Sequence, residues 1–353
     1  MRELITRLAA MPPSELPVVS AYLDMRPHVT GDPSVRSGLV VLKDRLREIE
    51  KTYWPRGAAF DSFQADAARI IKYVDHEFDV ASDGLALFSC AACNLFEAVE
   101  AGVHFHNQVS AEPVPDLFQL ARLLDDQETA IVAVVDSNTA RLFVTRAGFM
   151  EEVGGRDDDP RLYRRLAGYH WSQHWYQRHV QNRRVDFARE VVREMERILE
   201  EEAPVRRIVL AGDAIAIPAL REALTPRLND LVQGVVSLDI RAPRDEVSAE
   251  VQPVLAQAEA ENEHSLVEQL VSAVQMGGLG TAGLEHTRAA LAQAQVDVLI
   301  LAGESSLDDA TRNDLVREAI NSGAEVEVVD KHPALTELGG VGALLRFRLQ
   351  RRV

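Results

Sequence analysis

A rhythm in the last third of the chain constrains its fold most strongly. Short apolar runs of strand length alternate there with amphipathic stretches long enough for helices. The run Val296-Asp297-Val298-Leu299-Ile300-Leu301 stands between helical patterns at Gly283 to Gln293 and Leu307 to Asn321, and a second run follows from Ala324 to Val329. Strands separated by single helices must be covered on their apolar faces by those helices, which predicts a layered α/β unit. A longer helix is expected from about Glu246 to Gln275, stopped by Gly277-Gly278, and the segment Gly339 to Phe347 closes the unit. Residues 242–353 are therefore expected to form an α/β/α sandwich.

The rest of the chain is punctuated more loosely but in the same manner. At about 150 residues per domain, 353 residues suggest two or three domains. In residues 1–127, Leu16 to Leu23 reads as an opening strand. Leu39, Leu42, Leu46 and Ile49 have helical spacing, a second helix is expected over roughly Phe60 to Phe78, and Gly84 to Ser89 with Leu95 to Val99 reads as a strand pair. In residues 128–241, Ala130 to Val135 and Ala140 to Thr145 flank the turn Asp136-Ser137-Asn138 as a hairpin, with Phe149 to Val153 as a third strand. A helical pattern then runs from about Ser172 to Glu202, followed by a strand at Arg207 to Ala211, a short helix near Pro218 and a strand at Gly234 to Ile240. The fold class expected is α/β, with three consecutive mixed α/β domains.

Composition narrows the class of function. A hydrophobic fraction of 46% with 26% charged residues belongs to a globular chain. No apolar run approaches the ~20 residues that span a bilayer, and the start Met1-Arg2-Glu3-Leu4 lacks the pattern of a secretory signal, so no membrane partner is expected. Two cysteines supply no disulfide framework, which fits a cytoplasmic protein. A net charge of −17 repels nucleic acid over most of the surface, so any RNA contact must come from a local patch.

Such a patch exists. Between Arg161 and Arg193 eight arginines face two acids, Asp186 and Glu190, whereas Pro243 to Val353 holds nine basic and eighteen acidic residues. The basic segment also carries Tyr163, Tyr169, Trp171, Trp175 and Tyr176. Guanidinium groups fork onto phosphates and aromatic faces stack on unpaired bases, so the segment fits RNA. The blander reading is a solvated arginine face whose tryptophans anchor a helix to its core.

The segment Trp171-Ser172-Gln173-His174-Trp175-Tyr176-Gln177-Arg178-His179-Val180 resembles the Gly-Gly-Gln motif and following long helix of the archaeo-eukaryotic peptide-chain release factor and Pelota family. Gly84 to Phe88 and the closing segment Gly339 to Phe347 are similar to the family's first and last domains, in the right order. The resemblance implies the three-domain arrangement of a class-I archaeo-eukaryotic release factor. It also implies ribosome and ribosomal RNA as partners, peptidyl-tRNA as a further one, and a translational GTPase for the third domain. Gln173 matches the family's glutamine. His170, Trp171, Ser172, His174, Trp175, Arg178, Arg183 and Arg184 are the expected RNA-contacting set. The family chemistry is hydrolysis of the peptidyl-tRNA ester, in which an amide without a useful pKa positions water by hydrogen bonds.

Two departures bear on activity. Tyr169-His170 stand where the motif has its glycine pair, and bulky side chains obstruct close backbone approach to RNA. The loop around Thr52 to Gly57 has nothing like the Asn-Ile-Lys-Ser stop-codon reader, so action without codon recognition is expected. Two mechanisms stay open. One is occupancy of the A site of an idle or stalled ribosome, as in hibernation or rescue; the other is peptide release with Gln173 placing water. The first is favoured. A metal-dependent hydrolase or nuclease is the remote alternative.

Four weaker signals are set aside. His170 and His174 are four apart, but no glutamate lies between them as in a metalloprotease helix, so no metal is assigned there. Cys90-x-x-Cys93 with His104 and His106 reads more simply as small residues at a hairpin turn. Asp157 to Asp159 reads as an acidic loop. Gly277-Gly278-Leu279-Gly280 follows a helix rather than a strand and reads as a helix stop. No cofactor is expected.

Overall fold

The computed structural model describes residues 1–27, 36–53, 57–79, 81–157, 173–201, 204–305 and 307–347; at 157 and 173–182 it describes the backbone alone. It contains three sheets, four-stranded, five-stranded and four-stranded in chain order, each covered by helices. The protein is thus a mixed α/β chain. By contacts it divides into two compact units, residues 1–126 with 262–353, and residues 127–261.

The first sheet has the order β3-β2-β1-β4, built from β1 (Val18–Asp24), β2 (Gly84–Cys90), β3 (Leu95–Ala101) and β4 (Gln108–Glu112), with antiparallel pairing throughout. Strand β1 is buried on both faces. Val19, Ala21 and Leu23 pack with Leu42 and Leu46 of α2 (Ser37–Thr52) and Phe63 and Ile70 of α3 (Ala58–His76). Helix α2 starts close against β1: a Cβ on Gly38 would come within 2.5 Å of the Asp24 carbonyl oxygen. The loop expected to lack a stop-codon reader lies between α2 and α3, and residues 54–56 of it fall outside the described residues.

The other face of β1 meets polar groups. The Tyr22 hydroxyl donates to the Asp116 carbonyl at 2.7 Å, and the Asp116 amide donates to Ser20 Oγ at 3.0 Å. Asp116 precedes α4 (Phe118–Asp126), which with α1 (Arg2–Ala9) joins the first sheet to the third.

The third sheet has the order β10-β13-β11-β12, from β10 (Gly280–Ala282), β11 (Val296–Ala302), β12 (Glu325–Val329) and β13 (Val341–Leu345). Only β11 and β12 pair in parallel. One face, including Ile300, Ala302 and Val329, packs on Val267 and Leu270 of the long helix α8 (Arg244–Gln275). The other is covered by α9 (Leu284–Ala292) and by α10 (Asp309–Asn321), with Leu315, Val316 and Ala319 buried. This is the sandwich the alternation predicts. The expected stop also holds: Gly277 adopts φ +63° and the Gly278 amide donates to the Ala273 carbonyl at 2.7 Å, closing α8 in the left-handed manner glycine permits.

A polar seam ties these two sheets together. The buried Asn313 accepts from the Leu117 amide at 2.9 Å and donates to the Pro115 carbonyl at 3.0 Å. Arg317 donates to the Met11 carbonyl at 2.7 Å, and Asn321 to that of Ala9 at 3.0 Å. Asp125 accepts from the Val328 amide at 2.6 Å, and the Arg312 guanidinium lies 4.4 Å from the Phe118 ring centroid. Buried polar groups matched in this way hold one arrangement, since any slip leaves them unpaired.

The middle sheet has the order β7-β6-β5-β8-β9, from β5 (Ala130–Val135), β6 (Thr139–Arg146), β7 (Phe149–Asp157), β8 (Arg207–Gly212) and β9 (Val232–Ser237). Its β7-β6-β5 half is antiparallel and its β5-β8-β9 half parallel. Ile131, Ala133 and Val135 face Phe187, Val191, Met195 and Ile198 of α5 (Gln173–Glu201) and Ile217 and Leu220 of α6 (Ala216–Ala223). Val132 and Val134 face Val247 and Val251 of α8. A strand covered on both sides needs no polar alternation, which explains the unbroken run Ala-Ile-Val-Ala-Val-Val. α7 (Pro226–Asn229) and, in the third sheet's unit, α11 (Pro333–Glu337) complete the helices used below.

The boundary expected at 241 differs from the contact division. Residues 242–261 pack with the middle sheet, because Val247 and Val251 fill its second face. Buried Arg207 of β8 reinforces this by reaching the Leu255 carbonyl at 3.3 Å and pairing with Glu259 and, at 3.1 Å, with Glu128. Among the described residues no helix is long and apolar enough to cross a membrane.

Candidate functional site

The candidate site is the start of α5 and the turn beside it. Helix α5 runs for 29 residues, and Gln173 is its first. Its packing on the middle sheet, as described, begins at Phe187. At 1.5 Å per residue, the fourteen positions from Gln173 to Phe187 extend about 21 Å along the axis. The apolar spacing from Phe187 through Val191 and Met195 to Ile198 keeps one face of the remaining helix on the core.

The β5–β6 turn is fixed by Asp136. Its Oδ1 accepts from the amides of Asn138 at 2.7 Å and Thr139 at 2.6 Å, the usual role of aspartate opening a tight turn. Arg184, half-buried, shares a small crevice with Asp136, Ser137, Phe187 and Ala216. Arg183 is half-buried next to it. The helix therefore brings Arg183 and Arg184 to the end of the sheet where the hairpin turns.

Charge along α5 is not uniform. Arg189 pairs with Asp186 at 3.3 Å, Glu190 with Arg156 at 2.7 Å, and Glu194 with Arg197 at 2.6 Å. The bond from Arg197 holds the Glu194 carboxyl below its usual range. Across the sheet Arg141 grips Glu152 at 2.8 Å and lowers that carboxyl as well. The local excess of positive charge thus sits ahead of Asp186: Arg161, Arg164, Arg165, Arg178, Arg183 and Arg184 occur there with no acid among them.

Of the expected site residues, His170, Trp171 and Ser172 lie outside the described residues, and so does Asp158 to Pro160 of the expected acidic loop. Gln173, His174, Trp175 and Arg178 are in the first turns of α5, where the backbone alone is described. The pairing of His170 with His174 falls there too. The other set-aside cluster separates. Cys90 precedes and Cys93 ends a single 3-10 turn at one end of the β2–β3 hairpin, with Cys90 buried and Cys93 exposed. His104 and His106 follow Ala101, which pairs with Gly84 at the opposite end. The four residues do not converge, as the hairpin-turn reading expects.

The polar seam and the buried Asp116 beside it gave no signal in the sequence. Asp116 is buried, and desolvation raises its carboxyl to about 6 despite the bond it accepts from the Phe118 amide. No local spacing signals it, because its partners come from distant parts of the chain.

Residues 115–256 match the model of bacterial archaeo-eukaryotic release factor family 10, and residues 260–349 match eRF1 domain 3. The chain is a release-factor- and Pelota-like protein. The first match contains Gln173 and all of α5; the second covers the third sheet. The chain is 29% identical over 161 residues to the Pelota homolog of Halobacterium salinarum, a match covering 40% of this chain and 45% of that relative's length. Among solved structures, a ribosome-bound archaeal Pelota with ABCE1 is similar at 15% identity, covering 99% of this chain and 95% of its own, with a TM-score of 0.46. Saccharomyces cerevisiae Dom34, a translation termination-like factor of RNA quality control that interacts with Hbs1, is similar at 9% identity, covering 78% and 84%, with a TM-score of 0.46.

Proposed function

We propose that this release-factor-like chain is a cytoplasmic, ribosome-associated translation factor that occupies the A site of idle or stalled ribosomes without reading a codon. The observation carrying this reading is Gln173 as the first residue of a long helix within the segment that matches the release-factor family. Unpaired amides at a helix start favour anionic groups, and Arg178, Arg183 and Arg184, with no acid ahead of them on α5, supply further positive charge along its first turns. The remainder of an acidic chain repels RNA, which orients binding through this one end. His170, Trp171, Ser172, His174, Trp175, Arg178, Arg183 and Arg184 would contact ribosomal RNA near the peptidyl-transferase centre. The third domain, with its acidic excess, would meet a translational GTPase.

Tyr169-His170 in place of the glycine pair favours occupancy, and hence hibernation or rescue, over chemistry. The second reading is peptidyl-tRNA hydrolysis. It is supported by Gln173 itself, whose amide at a helix start is suited to positioning water beside developing negative charge.

Co-sedimentation with 70S ribosomes at low salt tests association. The wild type is expected to pellet with the particles, and replacing Arg178, Arg183 and Arg184 by Glu is expected to abolish pelleting and flatten its salt dependence. Absence of the wild type from the ribosomal pellet in growing and stressed cells alike would remove the proposal. Peptidyl-tRNA on isolated ribosomes separates the mechanisms. Occupancy predicts no release, whereas release that vanishes in Gln173→Ala establishes hydrolysis.

A further inference from the structure

Two histidines remote in sequence from the arginine-rich segment meet in the first unit. His264 lies on α8, and His332 immediately precedes α11. His264 Nδ1 is 3.1 Å from His332 Nε2, with the rings tilted by 33° and their centroids 5.2 Å apart. On the far side of the first ring, His264 Nε2 is 3.3 Å from Glu268 Oε1, one helical turn along. His332 Nδ1 is buried and has no hydrogen-bond partner.

We propose that His264 and His332 form a two-nitrogen binding site for a divalent ion of the zinc, copper or nickel class, with Glu268 orienting His264 from behind. Two nitrogens at about 2.0–2.1 Å from a tetrahedral ion lie roughly 3.3 Å from each other. The observed 3.1 Å is close to that bite. The Glu268 carboxylate, 3.3 Å from His264 Nε2, favours the tautomer with its proton on Nε2, which leaves the Nδ1 lone pair toward His332. This carboxylate–histidine arrangement is how ligating imidazoles are commonly held and made more basic. Imidazole suits zinc, copper and nickel, whereas magnesium and calcium require a shell of oxygens that this pair does not provide. His264 is 62% exposed, so water can complete the coordination. Because the two rings come from different elements, the ion would tie α8 to the β12–α11 connection.

Calorimetric titration of Zn2+ into the metal-free full-length chain tests the site. One equivalent is expected to bind. His264→Ala and His332→Ala should each abolish that binding, and Glu268→Gln should weaken it about tenfold. His286→Ala, on α9, should leave it unchanged. Excess Zn2+ should raise the melting temperature of the wild type but not of either histidine variant. Matching metal-free melting temperatures for wild type and variants establish that the variants fold. A wild type that takes up no Zn2+, or an isotherm unaltered by both His264→Ala and His332→Ala, overturns the proposal and leaves an ordinary hydrogen bond between the rings.

Discussion

The seam of the first unit and helix α5 of the middle unit use polar side chains in opposite ways. In the seam, Asn313 is buried and bonds to the backbone of a segment about 200 residues earlier, and Arg317 and Asn321 reach the carbonyls of Met11 and Ala9 at and just past the end of α1. On α5, Arg189 and Arg197 form exposed pairs with acids three or four residues away. Buried bonds define one docking because their loss leaves desolvated groups unpaired. Exposed pairs exchange readily with water, salt or a partner's phosphates. One region is built to stay as it is, and the other holds charge in a form a ligand can recruit.

The two regions should respond differently to substitution. The largest effect belongs to the apolar face beneath the arginines. Met195 is fully buried, so Met195→Ala should cost about 3 kcal/mol, read by chemical denaturation of the middle unit. A loss below about 1 kcal/mol would mean that α5 is not anchored as described. Next comes the seam itself. Asn313→Ala strands the Leu117 amide and the Pro115 carbonyl, at a cost of roughly 2–3 kcal/mol, with faster hydrogen exchange at Leu117. Unchanged exchange there would show that the seam does not depend on this residue.

The third effect is one of pH. Burial raises Asp116 to about 6, so the native state keeps a proton that the unfolded chain, with an ordinary pKa near 3.9, has released. This contribution to stability is full below about pH 4 and is lost as pH rises to about 6, an effect on the order of 3 kcal/mol. Asp116→Asn should remove that slope; an identical pH–stability curve would show that the carboxyl is not protonated in the fold. Glu152, lowered by Arg141, works with the opposite sign, contributing above its unfolded pKa and losing the contribution on acidification. The smallest effect is expected at Arg189→Ala, within about 0.5 kcal/mol, because an exposed pair one turn apart adds little. A larger loss would place α5 in the same class as the seam.

Much of the fold was legible where neighbours in sequence are neighbours in space. The β5–β6 hairpin, the helix starting at Gln173, and the β11–α10–β12 alternation all follow from local periodicity and turn chemistry. Strand β4 escaped reading because Gln108 to Glu112 lacks a strong apolar alternation and gains its place only by pairing with β1. Helix α4 escaped as well, since its apolar face meets β12, some two hundred residues later. The boundary near 241 was read from a change in pattern, but Val247 and Val251 belong to the middle core for reasons of packing alone. At the candidate site the position of Gln173 could be read from its motif, while the His264–His332 pair could not, because 68 residues separate its members.

The division of the chain has a consequence for its birth. Residues 127–261 form a contiguous unit, flanked by the two pieces of the other, 1–126 and 262–353. A chain made from its N-terminus presents Leu117 and Pro115 long before Asn313 exists. The middle unit can mature while its neighbour waits half-finished, with the α4 face open to chaperones and to aggregation. Only once Asn313 has left the exit tunnel can the seam close, so Pro115 and Leu117 wait for a partner made about 200 residues later.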